Sequence, residues 1–150
     1  RERTEVPIIA AGGICDGATM AAAFAMGAEG VQLGTAMLSC TDSPVHLNWK
    51  NAIYQGKETD TVFLNQQGRP ALRAMRTERT GELELLGQFQ PFEHMANILD
   101  LYFGGDLEAA IPLTGQVMGR INEARSAVEI VETTMEGFHS CLAGLQGQYA

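Results

Sequence analysis

The feature that most constrains the fold is a pair of glycine-bearing segments, each of which directly follows a short apolar run. Residues 6–11 read Val-Pro-Ile-Ile-Ala-Ala and lead into Gly12-Gly13, whereas residues 31–33 read Val-Gln-Leu and lead into Gly34-Thr35. The first run is typical of a strand that is buried on both faces, as in parallel sheets. We therefore expect two strands, each followed by glycine at its carboxyl end.

The residues between these two runs predict a helix. Residues 17–26 are rich in alanine, Asp16 can cap their amino end, and Gly27 can end them in a left-handed conformation. A short helix is also expected over residues 36–39. The order of strand, helix and strand with short connections predicts a βαβ unit, in which both strands run in the same direction.

The two glycine segments predict a phosphate site. In parallel α/β folds the carboxyl ends of the strands form the ligand-binding edge. Glycine lets backbone N–H groups approach a phosphate with no Cβ in the way, and a helix after Gly34-Thr35 directs free N–H groups at the same anion. The Thr35 hydroxyl can donate one more hydrogen bond. Two tight turns without a ligand are the alternative, and a dinucleotide fingerprint of the GxGxxG type is absent.

The middle of the chain predicts a helix and a hairpin. Ser43-Pro44 is typical of a helix start, and Gly56 is typical of a helix end. Residues 61–64 and 70–75 predict a β-hairpin, and residues 76–90 predict an irregular excursion. The apolar stripe of the helix is Val45, Trp49 and Ile53.

The last third of the chain predicts a helical region. Two helices are expected over residues 92–103 and 107–111. A final helix begins at a capping box formed by Ser126 and Glu129, and Gly144 is expected to end it. The core stripe of this helix is predicted to be Val131, Met135, Phe138 and Leu142.

Charge and cysteine content limit the functional classes. The 10 Lys and Arg against 18 Asp and Glu give a net charge of −8, which argues against binding to a nucleic-acid backbone. The three cysteines are too few and too widely spaced for a disulfide framework or a zinc site, and they suit a reducing cytosol. No apolar run approaches the ~20 residues that span a bilayer, and no signal-peptide pattern is present. We therefore expect a cytoplasmic protein with no metal, membrane or nucleic-acid partner.

The remaining polar candidates are interpreted mainly as structural. The three histidines are expected to be solvated or partly buried, and Cys15 is expected to be a small buried side chain. Four arginines predict a local basic, solvated face, with the alternative that Arg69 reaches an anionic ligand. Gln116 is expected either to line a ligand pocket or to stabilise a loop. The histidines are His46, His94 and His139, and the arginines are Arg69, Arg73, Arg76 and Arg79.

The glycine segments carry a family resemblance. Residues 6–17 and 27–35 resemble two strand motifs of the nitronate monooxygenases, formerly called 2-nitropropane dioxygenases, which the FMN-dependent enoyl-ACP reductases share. Residues 113–119 resemble the Ala-Gly-Gln segment near the family's carboxyl end, and residues 68–71 resemble its Gly-Arg-Pro-Ala turn. The resemblance is specific in the first forty residues and looser beyond them.

The resemblance implies an FMN-dependent oxidoreductase that oxidises alkyl nitronates with O2. It implies that Gly13, Gln32, Leu33, Gly34 and Thr35 bind the FMN phosphate, with Gly12 as a neighbour. The family has Arg-Phe after Gly-Thr where this chain has Ala36-Met37, so we expect weaker affinity or a compensating cation. A Gly-Gly-His segment with the family's catalytic histidine is absent, so no catalytic residue is predicted here.

The fold expectation is α/β: the last two strands of a (β/α)8 barrel with its phosphate site, followed by a helical carboxyl-terminal region. Residues 1–56 are predicted to form the last two βα units, residues 57–90 a hairpin and excursion, and residues 91–150 the helical segment. The chain begins without Met and has too few strands for a barrel, so we expect it to lack an amino-terminal half. An FMN-dependent enoyl-ACP reductase or a non-catalytic phosphate-binding fragment are the alternatives.

Overall fold

The computed structural model describes residues 5–149, which contain two separate two-stranded sheets and five α-helices. The ends of the first and last predicted segments, residues 1–4 and 150, lie outside the described residues. The strands are β1 (Ile9–Ala11), β2 (Gly30–Gln32), β3 (Thr61–Leu64) and β4 (Leu72–Met75). The helices are α1 (Gly17–Ala25), α2 (Thr35–Ser39), α3 (Leu47–Gln55), α4 (Glu78–Leu86) and α5 (Ala127–Tyr149).

The predicted βαβ unit is confirmed. β1 and β2 pair in parallel with Ala10 opposite Val31, and α1 connects them. The Asp16 carboxylate accepts a 2.8 Å hydrogen bond from the Thr19 amide, and the Thr19 hydroxyl accepts one from the Asp16 amide. Gly27 follows the helix with a φ of +98°, a conformation that costs glycine little. These caps fix both ends of α1 and thereby the spacing of the two strand ends.

The prediction that residues 6–11 form a strand buried on both faces is wrong in extent and in burial. Pairing begins only at Ile9, and the Ile9 side chain is 66% exposed. In the described chain β2 is the partner strand of β1, and the face that carries Ile9 is left uncovered. An apolar run indicates that burial of its side chains would be favourable, but burial also requires another part of the structure to pack against them.

The hairpin is confirmed, but residues 76–90 are not irregular. β3 and β4 pair antiparallel from Thr61 opposite Met75 to Leu64 opposite Leu72. The helix α4 follows, and a capping box begins it: Thr77 accepts from the Thr80 amide, and Thr80 accepts from the Thr77 amide. Leu83 of α4 is buried in a small core with residues of the hairpin and with Ile111. The hairpin residues of this core are Val62, Leu64 and Ala74.

The helix α3 begins later than Ser43-Pro44 predicts. Its amino cap is His46, whose Nδ1 accepts a 3.1 Å hydrogen bond from the Asn48 amide. The Ser43 hydroxyl instead accepts from the Val45 amide and so closes a turn before the helix. The carboxyl-terminal stop at Gly56 and the buried stripe are confirmed, since Val45, Trp49 and Ile53 are each at most 7% exposed.

Residues 91–120 form short helical turns in place of the two predicted helices. Pro91–Met95 and Gln116–Arg120 are 3-10 turns, and Asp100–Gly104 is a π turn. Residues 107–111 are not helical, because Pro112 disfavours helical backbone at the residue before it. The buried Ile111 leads into residues 112–114, which bond to β4 through the Met75 amide and the Pro112 carbonyl.

The helix α5 starts where it was predicted to start, but a different face packs inward. Ser126 and Glu129 form the predicted capping box. The helix does not end at Gly144 as predicted but continues to Tyr149. Three members of the predicted core stripe are exposed by 40–49%, namely Val131, Met135 and Leu142. Ile130 and Thr134 are buried instead. The fourth member, Phe138, is half-buried and packs against Phe24 of α1.

Glycine contacts explain which face of α5 packs inward. The backbone of Gly137 lies so close to Gly17 that a Cβ built on Gly17 would be 2.1 Å from the Gly137 carbonyl carbon. Such an approach of two helices requires glycine at the contact, so α5 rests on α1 through Gly137 and the residues on that side of it.

The main core lies between α2, α3 and the segment after residue 98. Trp49, Ile53 and Leu101 are completely buried there. The Trp49 indole N–H donates a 3.1 Å hydrogen bond to the Thr114 hydroxyl and so ties α3 to the segment beside β4. Within residues 5–149, no helix is both long and apolar enough to cross a bilayer.

Candidate functional site

An open cleft of about 460 Å³ lies at the carboxyl ends of β1 and β2. One wall consists of the last residue of each strand and the residues that follow it. The other wall consists of the start of β4 and the segment that bonds to it. The residues on the first wall are Ala11, Gly12, Gly13, Ile14, Gln32, Gly34 and Thr35, and those on the second include Ala71, Leu72, Arg73, Leu113, Thr114 and Gly115.

The glycines of the first wall leave open space where side chains would stand. Gly12 and Gly13 have φ values of +91° and +77°, in the region that side chains other than glycine rarely adopt. No described atom outside the adjoining residues lies within 4 Å of a Cβ built on Gly12, Gly13 or Gly34. A ligand group can therefore come into contact with the backbone at all three positions.

The helix α2 begins directly after Gly34, so its first backbone amides lie beside this glycine. The first helical hydrogen bond runs from the Leu38 amide to the Gly34 carbonyl at 2.9 Å. The amides of Thr35, Ala36 and Met37 precede that bond, and a helix leaves such amides to other partners. The Thr35 hydroxyl accepts a 2.9 Å hydrogen bond from the Gly115 amide, and its own proton is available for donation.

The structure brings five of the six predicted binding residues together at the cleft. Gly12, Gly13, Gln32, Gly34 and Thr35 line it, but Leu33 does not. Leu33 is half-buried and packs against the core beneath, because side chains alternate between the two faces along an extended segment. Only the backbone of Leu33 can therefore take part in a site at this edge.

The four arginines do not form one solvated basic face. Arg76 pairs with Glu84 at 3.1 Å, and Arg79 bonds to the Glu108 carbonyl. Arg69 is exposed, whereas Arg73 is half-buried and lines the cleft. The sequence of β4 could have indicated the position of Arg73. Side chains alternate between the two faces of a strand, and Arg73 lies two residues before the buried Met75, hence on the same face.

A charged cluster holds the loop between the glycines and α1. The Arg120 guanidinium lies 2.5 Å from the Asp16 carboxylate that caps α1. Burial alone raises the pKa of the Asp16 carboxyl, but hydrogen bonds from Thr19 and contact with Arg120 outweigh burial and lower this pKa. Burial, followed by the charge of Asp16, raises the pKa of the Cys15 thiol. Cys15 is 3% exposed, as predicted, and is part of the main core.

The histidines and Gln116 are not among the residues that line the cleft. His46 caps α3, His94 stands edge-on to Phe89 and His139 stands edge-on to Phe138. The Gln116 amide lies 3.5 Å from the Glu58 carbonyl, so its side chain bonds a loop and does not line the cleft. Over residues 5–149, no cluster of three or more His, Cys, Asp or Glu side chains could hold a metal ion.

Relatives of this chain are found by sequence and by structure. Residues 1–137 match the family model described as nitronate monooxygenase. A protein of Staphylococcus saprophyticus described as a probable nitronate monooxygenase is 48% identical over 71 residues, which are 47% of this chain and 20% of that protein.

Two solved structures have similar folds. FabK from Thermotoga maritima superposes with a TM-score of 0.86 and 32% identity, over 97% of this chain and 48% of that chain. Nitroalkane oxidase from Streptomyces ansochromogenes superposes with a TM-score of 0.80 and 24% identity, over 97% of this chain and 43% of that chain, which shows a shared fold.

The matches differ in how much of each relative they cover. The segment matched in the staphylococcal protein is a fifth of its length, and this chain spans about half of the FabK chain. The family model nevertheless covers all but the last 13 of the 150 residues, from 1 to 137. The chain belongs to the nitronate monooxygenase family.

Proposed function

We propose that this chain supplies the phosphate site of an FMN-dependent oxidoreductase that oxidises alkyl nitronates with O2. One observation carries the proposal: the glycines that follow two parallel strands leave their Cβ directions open toward the same cleft. Gly12, Gly13 and Gly34 form this cradle. Family membership makes FMN the cofactor to test there.

The residues present fit a phosphate dianion. Backbone N–H groups and the positive end of a helix dipole are the groups that bind phosphate in many α/β proteins. Here the cradle provides close access to backbone, α2 provides the amides of its first turn, and Thr35 provides a hydroxyl proton. The side chain of Gln32 lines the same wall and can donate through its amide.

The cofactor and the residues of this chain would have different roles. When bound, the flavin ring supplies the electron-transfer chemistry between substrate and oxygen. The residues of this chain hold the phosphate and thereby orient the cofactor along the cleft. No acid–base role is assigned to His46, His94 or His139, since none of them lines the cleft.

The proposal includes the architecture around the site. β1 and β2 would be the last two strands of a (β/α)8 barrel, in which phosphate sites follow strands seven and eight. An amino-terminal half of the barrel would be the partner of this chain, and the exposed Ile9 gives that half an apolar surface to cover. The half-length match to FabK supports this arrangement. The protein would act in the cytosol.

A second enzyme function shares this phosphate site. The superposition on FabK supports an FMN-dependent enoyl-ACP reductase as the alternative. The two activities differ in the second substrate, since the reductase needs a reduced nicotinamide and the monooxygenase needs oxygen. Turnover of an alkyl nitronate with O2, compared with turnover of an enoyl thioester with reduced nicotinamide, separates them.

The cradle is tested by FMN binding to wild type and to two glycine variants. Gly13→Ala places a methyl group in the cradle, whereas Gly87→Ala places one at a similar φ, +68° against +77°, outside the cleft. Near Gly87 the added carbon meets only the end of the Gln67 side chain. Both variants therefore place a side chain at a positive φ, which strains the backbone, and only the first obstructs the ligand.

We expect wild type to acquire the yellow flavin absorbance, and Gly13→Ala to bind FMN at least about tenfold more weakly than Gly87→Ala, a difference of about 1.4 kcal/mol. A wild-type protein that stays colourless with excess FMN would overturn the cofactor assignment. FMN binding without turnover of either substrate pair would support the non-catalytic alternative.

A further inference from the structure

Arg73 is the charged side chain of the cleft. The other residues that line it in the described chain are apolar, glycine or neutral polar. The protein as a whole carries a net charge of −8, so an anionic ligand in this cleft is repelled at long range and depends on a local cation for compensation.

The guanidinium of Arg73 is held in place by two contacts on its own hairpin. Its Nη1 donates a 3.0 Å hydrogen bond to the Thr61 hydroxyl, and its central carbon lies 5.3 Å from the centroid of the Phe63 ring. Phe63 is the residue directly opposite Arg73 across the two strands. A guanidinium has five N–H donors, so this arrangement fixes its position and leaves donors for a ligand.

Arg73 has no carboxylate partner in the described chain, whereas three other arginines do. The ion pairs within residues 5–149 join Arg76 to Glu84, Arg120 to Asp16 and Arg125 to Glu123. None of these pairs involves Arg73. Its charge is therefore not neutralised by a carboxylate of the described chain.

Two hydrogen bonds connect the backbone of Arg73 to the amino end of α2, which follows Gly34 of the cradle. The Thr114 amide donates to the Arg73 carbonyl at 3.2 Å, and the next residue, Gly115, donates its amide to the Thr35 hydroxyl at 2.9 Å. Thr114 and Gly115, which are consecutive, thus connect β4 to the first turn of α2. Arg73 stands on one wall, and the amino end of α2 stands on the other.

We propose that Arg73 binds the phosphate of the cofactor from the wall opposite the glycine cradle. The inference rests on the proposed function, because it assigns a ligand to the same cleft. Arginine is suited to this role, since its planar fork can give two parallel hydrogen bonds to one phosphate. The glycine cradle supplies neutral amides, and Arg73 supplies the charge.

The test compares FMN with riboflavin, which has the same ring and chain but no phosphate. Arg73→Gln removes the charge and keeps a polar side chain. Arg69→Gln is the matched control, because Arg69 is exposed on the same hairpin and outside the cleft lining. We expect Arg73→Gln to weaken FMN binding about tenfold or more, to leave riboflavin binding within about twofold, and to reduce competition by inorganic phosphate. Arg69→Gln should match wild type.

Arg73→Lys keeps the charge without the fork and provides a second variant if Arg73→Gln fails to fold. We expect it to bind FMN more weakly than wild type and riboflavin equally well. Equal losses for FMN and riboflavin in either variant, or FMN binding unchanged from wild type, would overturn the role of Arg73. A wild type that binds no FMN would overturn the phosphate site itself, a result distinct from failure of the Arg73 variants alone.

Discussion

The amide of Gly115 donates a 2.9 Å hydrogen bond to the hydroxyl oxygen of Thr35, which lies 80 positions earlier in the sequence. The Thr35 side chain is nearly buried, and a Cβ built on Gly115 would lie 3.2 Å from this hydroxyl. The bond joins the first turn of α2 to the segment that pairs with β4. It therefore fixes the distance between the two walls of the cleft at this point.

Replacing Thr35 with valine should both destabilise the protein and weaken FMN binding. Valine has the same shape but no hydroxyl, so the Gly115 amide loses its acceptor. The free energy of unfolding should fall by about 1–3 kcal/mol. Urea denaturation and FMN titration measure the two effects. Thr35→Ser is the control, since it keeps the oxygen, and equal behaviour of the two variants would contradict a role for this bond.

The sequence was sufficient to predict the first wall of the cleft. Gly12, Gly13 and Gly34 follow strands in a βαβ unit, and the geometry of such a unit brings consecutive strand ends together whatever the rest of the chain does. The caps of α1 at Asp16 and Gly27 are also local features, so they could be read from neighbouring residues. Local rules therefore placed five of the six predicted site residues at one edge.

The second wall could not be predicted, because it depends on contacts between distant residues. The sequence predicts a compensating cation, but it does not separate Arg73 from the three other arginines, because only the folded hairpin determines which face of β4 is covered. The inward face of α5 depends on distant contacts in the same way. Residues 130, 134 and 137 have helical spacing just as residues 131 and 135 do, and the contact between Gly17 and Gly137 favours the first set. Phe138, a member of the predicted stripe, is half-buried beside Phe24.

The buried Lys50 ammonium should be essential to the turn that follows α2. It is 4% exposed and donates to the carbonyl oxygens of Cys40 at 2.7 Å and Ser43 at 2.6 Å. Lys50→Met fills similar space but leaves these carbonyls without their donor, and we expect a loss of about 3 kcal/mol in unfolding free energy. Lys57→Met, at an exposed position, should change it by less than about 0.5 kcal/mol. A similar stability for both variants in urea denaturation would contradict this view.

The contribution of Asp16 to stability should disappear in acid. Its pKa is lower in the folded protein than its usual value, so its ionised form stabilises the fold above the unfolded pKa of about 4. This contribution is lost as the pH falls through the lower, folded pKa. Asp16→Asn can still cap α1 but does not titrate.

The difference in unfolding free energy between wild type and Asp16→Asn should be constant from pH 5 to 8 and should shrink below about pH 4. Because Asp16 and Arg120 are both partly exposed, its size should be about 1 kcal/mol or less. Arg120→Gln in both backgrounds should reduce the pH-dependent part. A difference that grows toward low pH would reverse the sign and contradict the assignment.

The contact between α1 and α5 should tolerate no side chain at Gly17. A Cβ there would lie 2.1 Å from two backbone atoms of the facing helix, and backbone cannot move aside as the end of a flexible side chain can. The helices would have to separate, so Gly17→Ala should cost about 3 kcal/mol.

Gly144→Ala is the matched control, since it lies in the same α5 and its added carbon meets no described atom within 4 Å. There alanine should stabilise the protein by up to about 1 kcal/mol, because glycine is a poor helix former. Thermal or urea unfolding of the two variants should therefore move in opposite directions. If Gly17→Ala were neutral, the two helices would not be in backbone contact, and the choice of the Ile130 face of α5 would need another cause.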